Sequence, residues 1–277
     1  MNGFRTHLFP IALAMLATTG CREGDAPEGR AEIAVTNSYL ASAVRDLCGD
    51  EAGILCLAPP GMCPGHFDIA PGQVRQLQQC RILLLFDFQQ QVQRRLARLE
   101  DGGLGIHLVR TPPGLCLPDT YIEACRQVCE IISDEYPERA TAFEMRLAAV
   151  QGRLKGLAAE LQEAVADSEA AAAEVLISNH QVRFAEWLGL EPVATFIGSD
   201  AETAAHVDHC LRQAADQEVR FVIANRQEGT ALAEALADRL QARAVVFSNF
   251  PTTGDGISGF DTLVRRNVQV LLEAATR

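Results

Sequence analysis

The alternation of apolar and polar positions divides the chain into short apolar runs and longer amphipathic segments. Apolar runs bounded by turn residues predict β-strands, and apolar positions recurring every three or four residues predict helices. The predicted strands are Ile33–Asn37, Ile54–Ala58, Ile82–Asp87, Ile106–Thr111, Val175–Ser178, Pro192–Ile197, Arg220–Ala224 and Ala244–Phe247. The predicted helices are Ser38–Leu47, Pro71–Gln79, Gln89–Glu100, Asp119–Ser133, Gln181–Leu188, Asp200–Ala215, Gly229–Leu240 and Gly259–Ala274. This β–α order predicts open, mainly parallel sheets with helices on both faces.

One long amphipathic stretch, residues 137–167, separates the series into two halves. Its apolar positions share one helix face: Phe143, Leu147, Val150, Leu154, Leu157, Leu161 and Val165. At about 1.5 Å per residue the helix would reach about 46 Å, which exceeds the width of a small domain. We therefore predict two Rossmann-like α/β lobes, residues 32–136 and 168–277, joined by this rigid helix. The nearly heptad spacing leaves a dimeric coiled coil as an alternative.

The amino terminus predicts export. Residues 1–20 contain an apolar run too short to span a bilayer, with the proportions of a secretory signal peptide. The run ends in TTGC, which resembles the lipobox of bacterial lipoproteins, with Thr where Leu is commoner. This resemblance implies that Cys21 is lipidated and that residues 21–31 are a polar tether. A conventionally cleaved or uncleaved leader is the alternative.

Composition narrows the function classes. The 277 residues are 48% hydrophobic, which excludes wholesale disorder, and the net charge of −12 argues against nucleic acid as a partner. Nine cysteines need explanation in an exported chain. Six lie in or beside apolar runs, where core packing or structural disulfides explain them best: Cys48, Cys56, Cys80, Cys125, Cys129 and Cys210.

Two histidines lie where a ligand is expected. Ligands of open α/β sheets bind beyond the carboxyl ends of the strands. His66 lies in a Pro- and Gly-rich loop after the second predicted strand, and His180 follows the fifth. Imidazole suits divalent transition metals, so the pair predicts one metal ligand from each lobe. The alternatives are a solvated loop histidine at 66 and a helix-start residue bonded to backbone at 180.

Two cysteines accompany these histidines. Cys63 precedes His66 by three residues, and Cys116 lies in the loop after the fourth predicted strand. They are interpreted either as thiolate ligands of a soft metal or as a disulfide joining two loops. A third alternative is that they have neither of these roles.

Several segments, in their order along the chain, resemble the zinc- and manganese-binding lipoproteins of bacterial ABC importers, the cluster A-I metal-binding proteins. PPGMCPGHFDIAP is similar to the family's histidine loop, and YPERATAFEMRLAAVQGRLKGLAAEL to its connecting helix. ISNHQVRFAEWLGL is similar to its Ser-His motif, and the segment FVIANRQEGTALAEALADRLQARAVVFSNFP follows in the family's order.

The resemblance implies that His66 and His180 bind a divalent cation between the lobes. Where the family has a second histidine this chain has PPGLCLP, so that ligand is either missing or replaced by Cys116, and Cys63 is a further candidate. The family's acidic ligand is not evident, and its replacement is sought among Asn249, Ser248, Asp255, Asn225 and Glu228. Exchange of carboxylate for thiol or amide favours zinc or another soft ion over manganese as the cargo; weakened metal binding or a different cargo is the alternative.

The resulting expectation is a monomeric lipoprotein of the cell envelope that captures zinc and delivers it to an ABC permease and its ATPase. It would use no catalytic cofactor and bind no nucleic acid. The sequence has no G-x-S-x-G, Walker or H-E-x-x-H motif. The rival hypothesis is a lipid-anchored α/β enzyme or thiol-redox protein using Cys63, His66 and Cys116; a third is a structural or sensing lipoprotein.

Overall fold

A computed structural model of the protein describes residues 32–49, 52–59, 69–198, 202–252 and 259–276. The predicted signal peptide, tether and lipidation site Cys21 lie outside these ranges, as do the candidates Cys63, His66 and Asp255. No helix within the described ranges has both the length and the hydrophobicity needed to span a bilayer.

The first half of the chain forms a four-stranded parallel sheet. Its strands are β1 (Ile33–Val35), β2 (Ile54–Cys56), β3 (Ile82–Phe86) and β4 (Gly105–Val109), in the order β2-β1-β3-β4. Its helices are α1 (Ser38–Cys48), α2 (Pro71–Leu77), α3 (Gln90–Leu96) and α4 (Pro118–Glu135). Every residue of β3 is buried, because helices cover both faces of a parallel sheet.

The third helix is shorter than predicted. The sequence predicts one helix from Gln89 to Glu100, whereas α3 is flanked by 3-10 segments at Asp87–Gln89 and Ala97–Gly102. Gly103 then ends the segment in the left-handed region, at φ 92°. The apolar period of a sequence does not distinguish a short helix from consecutive 3-10 turns.

The second half repeats this topology. Its strands are β5 (Glu174–Ser178), β6 (Glu191–Phe196), β7 (Phe221–Asn225) and β8 (Arg243–Phe247), in the order β6-β5-β7-β8. Its helices are α6 (Val182–Trp187), α7 (Ala204–Ala214), α8 (Ala231–Leu240) and α9 (Phe260–Ala275). The predicted fold class, two parallel-sheet lobes, is confirmed.

The connecting helix α5 spans Ala140–Ala166, after a 3-10 turn at Pro137–Arg139. Six of the apolar positions predicted for one face are buried (Phe143, Val150, Leu154, Leu157, Leu161 and Val165), and Leu147 is partly buried. This face packs within the chain against α1, α4 and α9. The coiled-coil alternative needs the same face for a second chain, so the structure does not support it.

The two lobes share one hydrophobic core. A single buried cluster contains side chains from both sheets and from α5. Phe260, at the start of α9, stacks on Tyr121 of the first lobe at 4.1 Å between ring centroids. On the surface, Arg153 of α5 bridges Asp46 of the first lobe, at 2.9 Å, and Asp261 of α9, at 3.1 Å. The last helix therefore also packs on the first lobe, which the sequence did not predict.

The exposed glycines of α5 yield a stability prediction. A Cβ added at Gly156 would meet no atom within 4 Å, and the position lies in a helix interior. Gly156→Ala is expected to raise the free energy of unfolding by about 0.5–1 kcal/mol, because alanine restricts the unfolded chain and favours the helix. Urea denaturation measures this change. Gly103→Ala, at a positive φ, should instead destabilise the protein.

Candidate functional site

The candidate site lies between the lobes, where the parallel strands of each sheet end; we call these ends the carboxyl edges and the space between them the cleft. The loop after β4 approaches the second lobe here. The Cys116 thiol donates a hydrogen bond to the Ser248 carbonyl oxygen after β8, at 3.1 Å. Gly114, at φ +99°, is so close to α6 that a Cβ there would lie 3.1 Å from the Cβ of Arg183. The carboxyl edges of the two sheets therefore face each other.

His180 lies at this edge of the second lobe. It belongs to a 3-10 turn, Asn179–Gln181, that directly follows β5. Its side chain is 63% exposed, and its Nε2 lies 3.2 Å from Oε1 of Glu228. The ring is thus accessible to solvent at this edge and already adjacent to a carboxylate.

Glu228 reaches the same point from the neighbouring strand, in the 3-10 turn Arg226–Glu228 after β7. Its side chain is 17% exposed. Oε2 accepts a hydrogen bond of 2.6 Å from the hydroxyl of Ser178, the buried last residue of β5. One carboxylate oxygen is therefore fixed by Ser178, while the other faces His180.

Gly198, in the loop after β6, allows Glu228 to lie close to that loop. A Cβ added at Gly198 would lie 2.3 Å from the Cβ of Glu228 and 2.7 Å from its carbonyl oxygen. Any larger residue would force one of the two loops to move. Loops from β5, β6 and β7 thus converge on Glu228.

The order of these contacts does not match a hydrolytic triad. In such a triad the hydroxyl donates to the imidazole, which the carboxylate orients. Here Ser178 donates to Glu228, which lies between Ser178 and His180, and Ser178 is fully buried. The arrangement orients a carboxylate and an imidazole rather than activating a nucleophile.

A buried group of carboxamides lies beside His180. Gln181 Nε2 donates to Oδ1 of Asn249 at 3.0 Å and to Oδ1 of Asn225 at 3.3 Å. All three side chains are buried. Gln181 Oε1 has no hydrogen-bond partner among the described residues. Two positions considered for an acidic ligand, Asn225 and Asn249, therefore form part of a neutral amide network.

Cys116 lies in the same interlobe network. Besides Ser248, its thiol contacts Oδ1 of Asn249, at 3.4 Å, and Asn267 Nδ2 lies 3.4 Å from the sulfur. The side chain is a buried free thiol. Burial raises the pKa of the Cys116 thiol, and the hydrogen bond from Asn267 opposes this rise without cancelling it. This environment favours the protonated thiol, which is neither the metal-binding nor the redox-active form.

Of the four predicted metal ligands, the structure describes His180 and Cys116 but not Cys63 and His66. His180 lies in the cleft, and Cys116 is nearby but turned toward Ser248, Asn249 and Asn267. Among the described residues, no three His, Cys, Asp or Glu side chains are grouped so that they could hold a metal ion. The ligand roles of Cys63, His66 and Cys116 stay predictions.

The pairing of His180 with Glu228 was not predicted from the sequence. A topological rule predicts it once the strand order is known. In the order β6-β5-β7-β8, the connections after β5 and after β7 run in opposite directions along the sheet, and ligands of open α/β sheets bind in the crevice between two such strands. The loops after β5 and β7 hold His180 and Glu228. Applying the rule requires the strand order, which the sequence pattern does not give.

Comparison with known proteins gives a family and a fold. The family model "Zinc-uptake complex component A periplasmic" (ZnuA) matches residues 116–274. No curated protein matches the sequence significantly.

Solved structures share the fold at low sequence identity. A cadmium-bound periplasmic metal-binding protein from Candidatus Liberibacter asiaticus superposes with a TM-score of 0.74 at 12% identity, over 88% of this chain and 98% of that one. A ZnuA crystal structure gives 0.71 at 15% identity, covering 88% and 98%. The laminin-binding adhesin Lmb from Streptococcus agalactiae, in a mutant form, gives 0.73 at 12% identity, covering 88% and 99%.

Proposed function

The chain belongs to the family of periplasmic component A proteins of zinc-uptake complexes, and from this premise we propose that it captures zinc in the cleft and delivers it to an ABC permease. The cargo is bound and released, and no bond in it is broken. The observation that supports this proposal most directly is the exposed imidazole of His180 beside the Glu228 carboxylate, at the carboxyl edge that faces the other lobe.

The remaining ligands come from the first lobe in this proposal. His66, in the loop after β2, supplies a second imidazole across the cleft, and Cys63 and Cys116 are the candidate thiol ligands. Imidazole nitrogen and thiolate sulfur donors favour zinc over manganese, which prefers carboxylate and water oxygens. Asn225 and Asn249 offer no carboxylate oxygen, the donor that manganese prefers.

Lobe movement on binding is small in this proposal. The two lobes share one core, and α5 and α9 each pack on side chains from both halves of the chain. A wide hinge opening would expose that apolar surface to water, at about 25 cal/mol per Å². Metal capture therefore proceeds by closure of the loops around the ion rather than by rotation of whole lobes.

The cellular setting follows from the amino terminus. We propose that residues 1–20 are removed, that Cys21 is lipidated, and that residues 21–31 tether a monomeric receptor to the membrane at the cell envelope. The partners are the permease and its ATPase. Mass spectrometry of the membrane-bound protein tests the anchor, since an acylated amino-terminal Cys21 is expected.

Metal analysis tests the main proposal. Protein purified without chelator is expected to contain zinc at about one equivalent. After chelator removes the metal, calorimetric titration should show one tight zinc site and weaker manganese binding. A metal-free preparation that binds neither ion would refute metal capture, while tighter manganese binding would refute the preference for zinc.

A further inference from the structure

Among the described residues at the carboxyl edge of the second lobe, Glu228 places a carboxylate oxygen beside the exposed imidazole of His180, whereas positions 225 and 249 carry asparagine. We propose that Glu228 is the acidic ligand of the cargo ion, and that Ser178 and Gly198 position it. This inference rests on the proposed function, because it assigns a ligand to the same site.

The distance between the two donor atoms supports this assignment. Zinc binds imidazole nitrogen and carboxylate oxygen at about 2.0–2.2 Å, so two such donors on one tetrahedral ion lie about 3.4 Å apart. Nε2 of His180 and Oε1 of Glu228 lie 3.2 Å apart. The pair is therefore near its ligating separation before the ion arrives, and binding requires only a small outward shift of either side chain.

The hydrogen bond from Ser178 defines the mode of coordination. Metal-bound carboxylates are commonly oriented by a further hydrogen bond to the oxygen that does not bind the ion. Ser178 supplies that bond to Oε2 at 2.6 Å. Because Ser178 is buried at the end of β5, it holds the carboxylate rigidly and leaves Oε1 to bind the ion through a single oxygen.

Gly198 fixes the other side of Glu228. The backbone of the loop after β6 lies directly against the Cβ and carbonyl oxygen of Glu228, at a distance that excludes a side chain on Gly198. Glu228 is thus confined between Ser178 and Gly198. This confinement lowers the entropy that the side chain loses when it coordinates an ion.

The other described candidates for the acidic ligand are engaged elsewhere. The Oδ1 atoms of Asn225 and Asn249 both accept from Gln181, and Asn249 also contacts the Cys116 thiol. The Ser248 hydroxyl donates to the Phe250 carbonyl oxygen and accepts from Gln227. A metal ion at these atoms would have to break a buried network. At Glu228 it would replace one contact with an exposed histidine.

Zinc titration of Glu228→Gln tests the proposal. Glutamine keeps the size of the side chain and the acceptor for Ser178, but lacks the anionic donor. We expect zinc affinity to fall by about 10–100-fold and the visible spectrum of the Co²⁺-loaded protein to change, since that spectrum reports the ligand set. The matched control is Glu169→Gln, which removes the same charge from a carboxylate that contacts Arg220 at 2.9 Å, before the amino end of β7 in this lobe.

Each outcome has a distinct meaning. Loss confined to Glu228→Gln supports coordination. Equal loss in both variants overturns the proposal, because it would reflect charge rather than a bond to the metal. Wild-type affinity and spectrum in Glu228→Gln also overturn it, while leaving metal capture intact. If the wild-type protein binds no metal, the proposed function itself fails.

A second variant tests the positioning without removing a donor atom. Gly198→Ala should lower zinc affinity by roughly 10-fold, comparable with the loss of a residue that orients a metal ligand. Gly152→Ala, where a Cβ would meet nothing within 4 Å, is the matched control and should bind zinc like the wild type. Unchanged affinity in Gly198→Ala would overturn the positioning role, and thermal melts of the metal-free variants confirm that both are folded.

Discussion

Replacing His180 with alanine is expected to lower zinc affinity by at least about 100-fold, or about 2.8 kcal/mol. The exposed ring has its Nε2 beside Glu228, and alanine leaves no donor atom at this position. Loss of residues that only orient metal ligands commonly costs 10–100-fold, so loss of a ligand itself should cost at least as much as the upper part of that range. Competition titration with a chromogenic zinc chelator measures the change.

A histidine outside the cleft provides the control. His107, within β4 of the first lobe, has its Nε2 3.9 Å from Glu135 at the end of α4, and His107→Ala should bind zinc with wild-type affinity. The metal-free His180→Ala variant should unfold at the same temperature as the wild type, because this side chain is largely exposed. Wild-type zinc affinity in His180→Ala would remove this residue from the site and leave the proposed function without its main support.

Replacing Phe260 with alanine is expected to reduce the free energy of unfolding by about 3–5 kcal/mol, the usual cost of removing a fully buried phenylalanine ring. Phe260 is fully buried, stacks on Tyr121 at 4.1 Å and contacts Tyr39 edge-on at 5.9 Å. It is the first residue of α9, so the cavity would form where the last helix meets the first lobe.

Thermal and urea denaturation measure this effect, with a melting temperature lower by roughly 10 °C for a chain of this size. Met145→Ala removes a side chain of similar volume that is 65% exposed, and its stability should differ from wild type by less than about 0.5 kcal/mol. A loss below about 1 kcal/mol for Phe260→Ala would contradict the view that α9 joins the two lobes through this ring.

Much of the fold was predictable because its periods are local. The buried strand ILLLF, the amphipathic α1 and the single apolar face of α5 each appear as a pattern within one segment of chain. Strand and helix limits differ from the predicted ones by only a few residues at most elements. The exceptions arise where 3-10 turns flank a short helix, as around α3. The spacing of apolar residues does not distinguish a 3-10 turn from a turn of α-helix, so the sequence predicts one longer helix there.

The candidate site was predictable in part. The position of His180 after a strand was sufficient to place it at a carboxyl edge. Glu228 was one of five candidates for the acidic ligand, and nothing in its sequence neighbourhood separated it from Asn225 or Asn249. The structure separates them by their partners: both amides accept hydrogen bonds from Gln181, whereas Glu228 faces His180. Cys116 was predicted as a thiolate ligand or as half of a disulfide. Its thiol contacts Ser248, Asn249 and Asn267, and its role as a ligand stays a prediction.

The sequence by itself therefore determined the two α/β lobes, the rod between them and the strand ends at which a ligand is sought, because each follows from hydrophobic periodicity and the direction of parallel strands. Only the tertiary structure decided which side chains meet. The strand order brings the loops after β5 and β7 together, and Phe260 of α9 packs on Tyr121 of the first lobe. These contacts join residues 44 or more positions apart, and the packing that selects them depends on the whole chain rather than on any one segment.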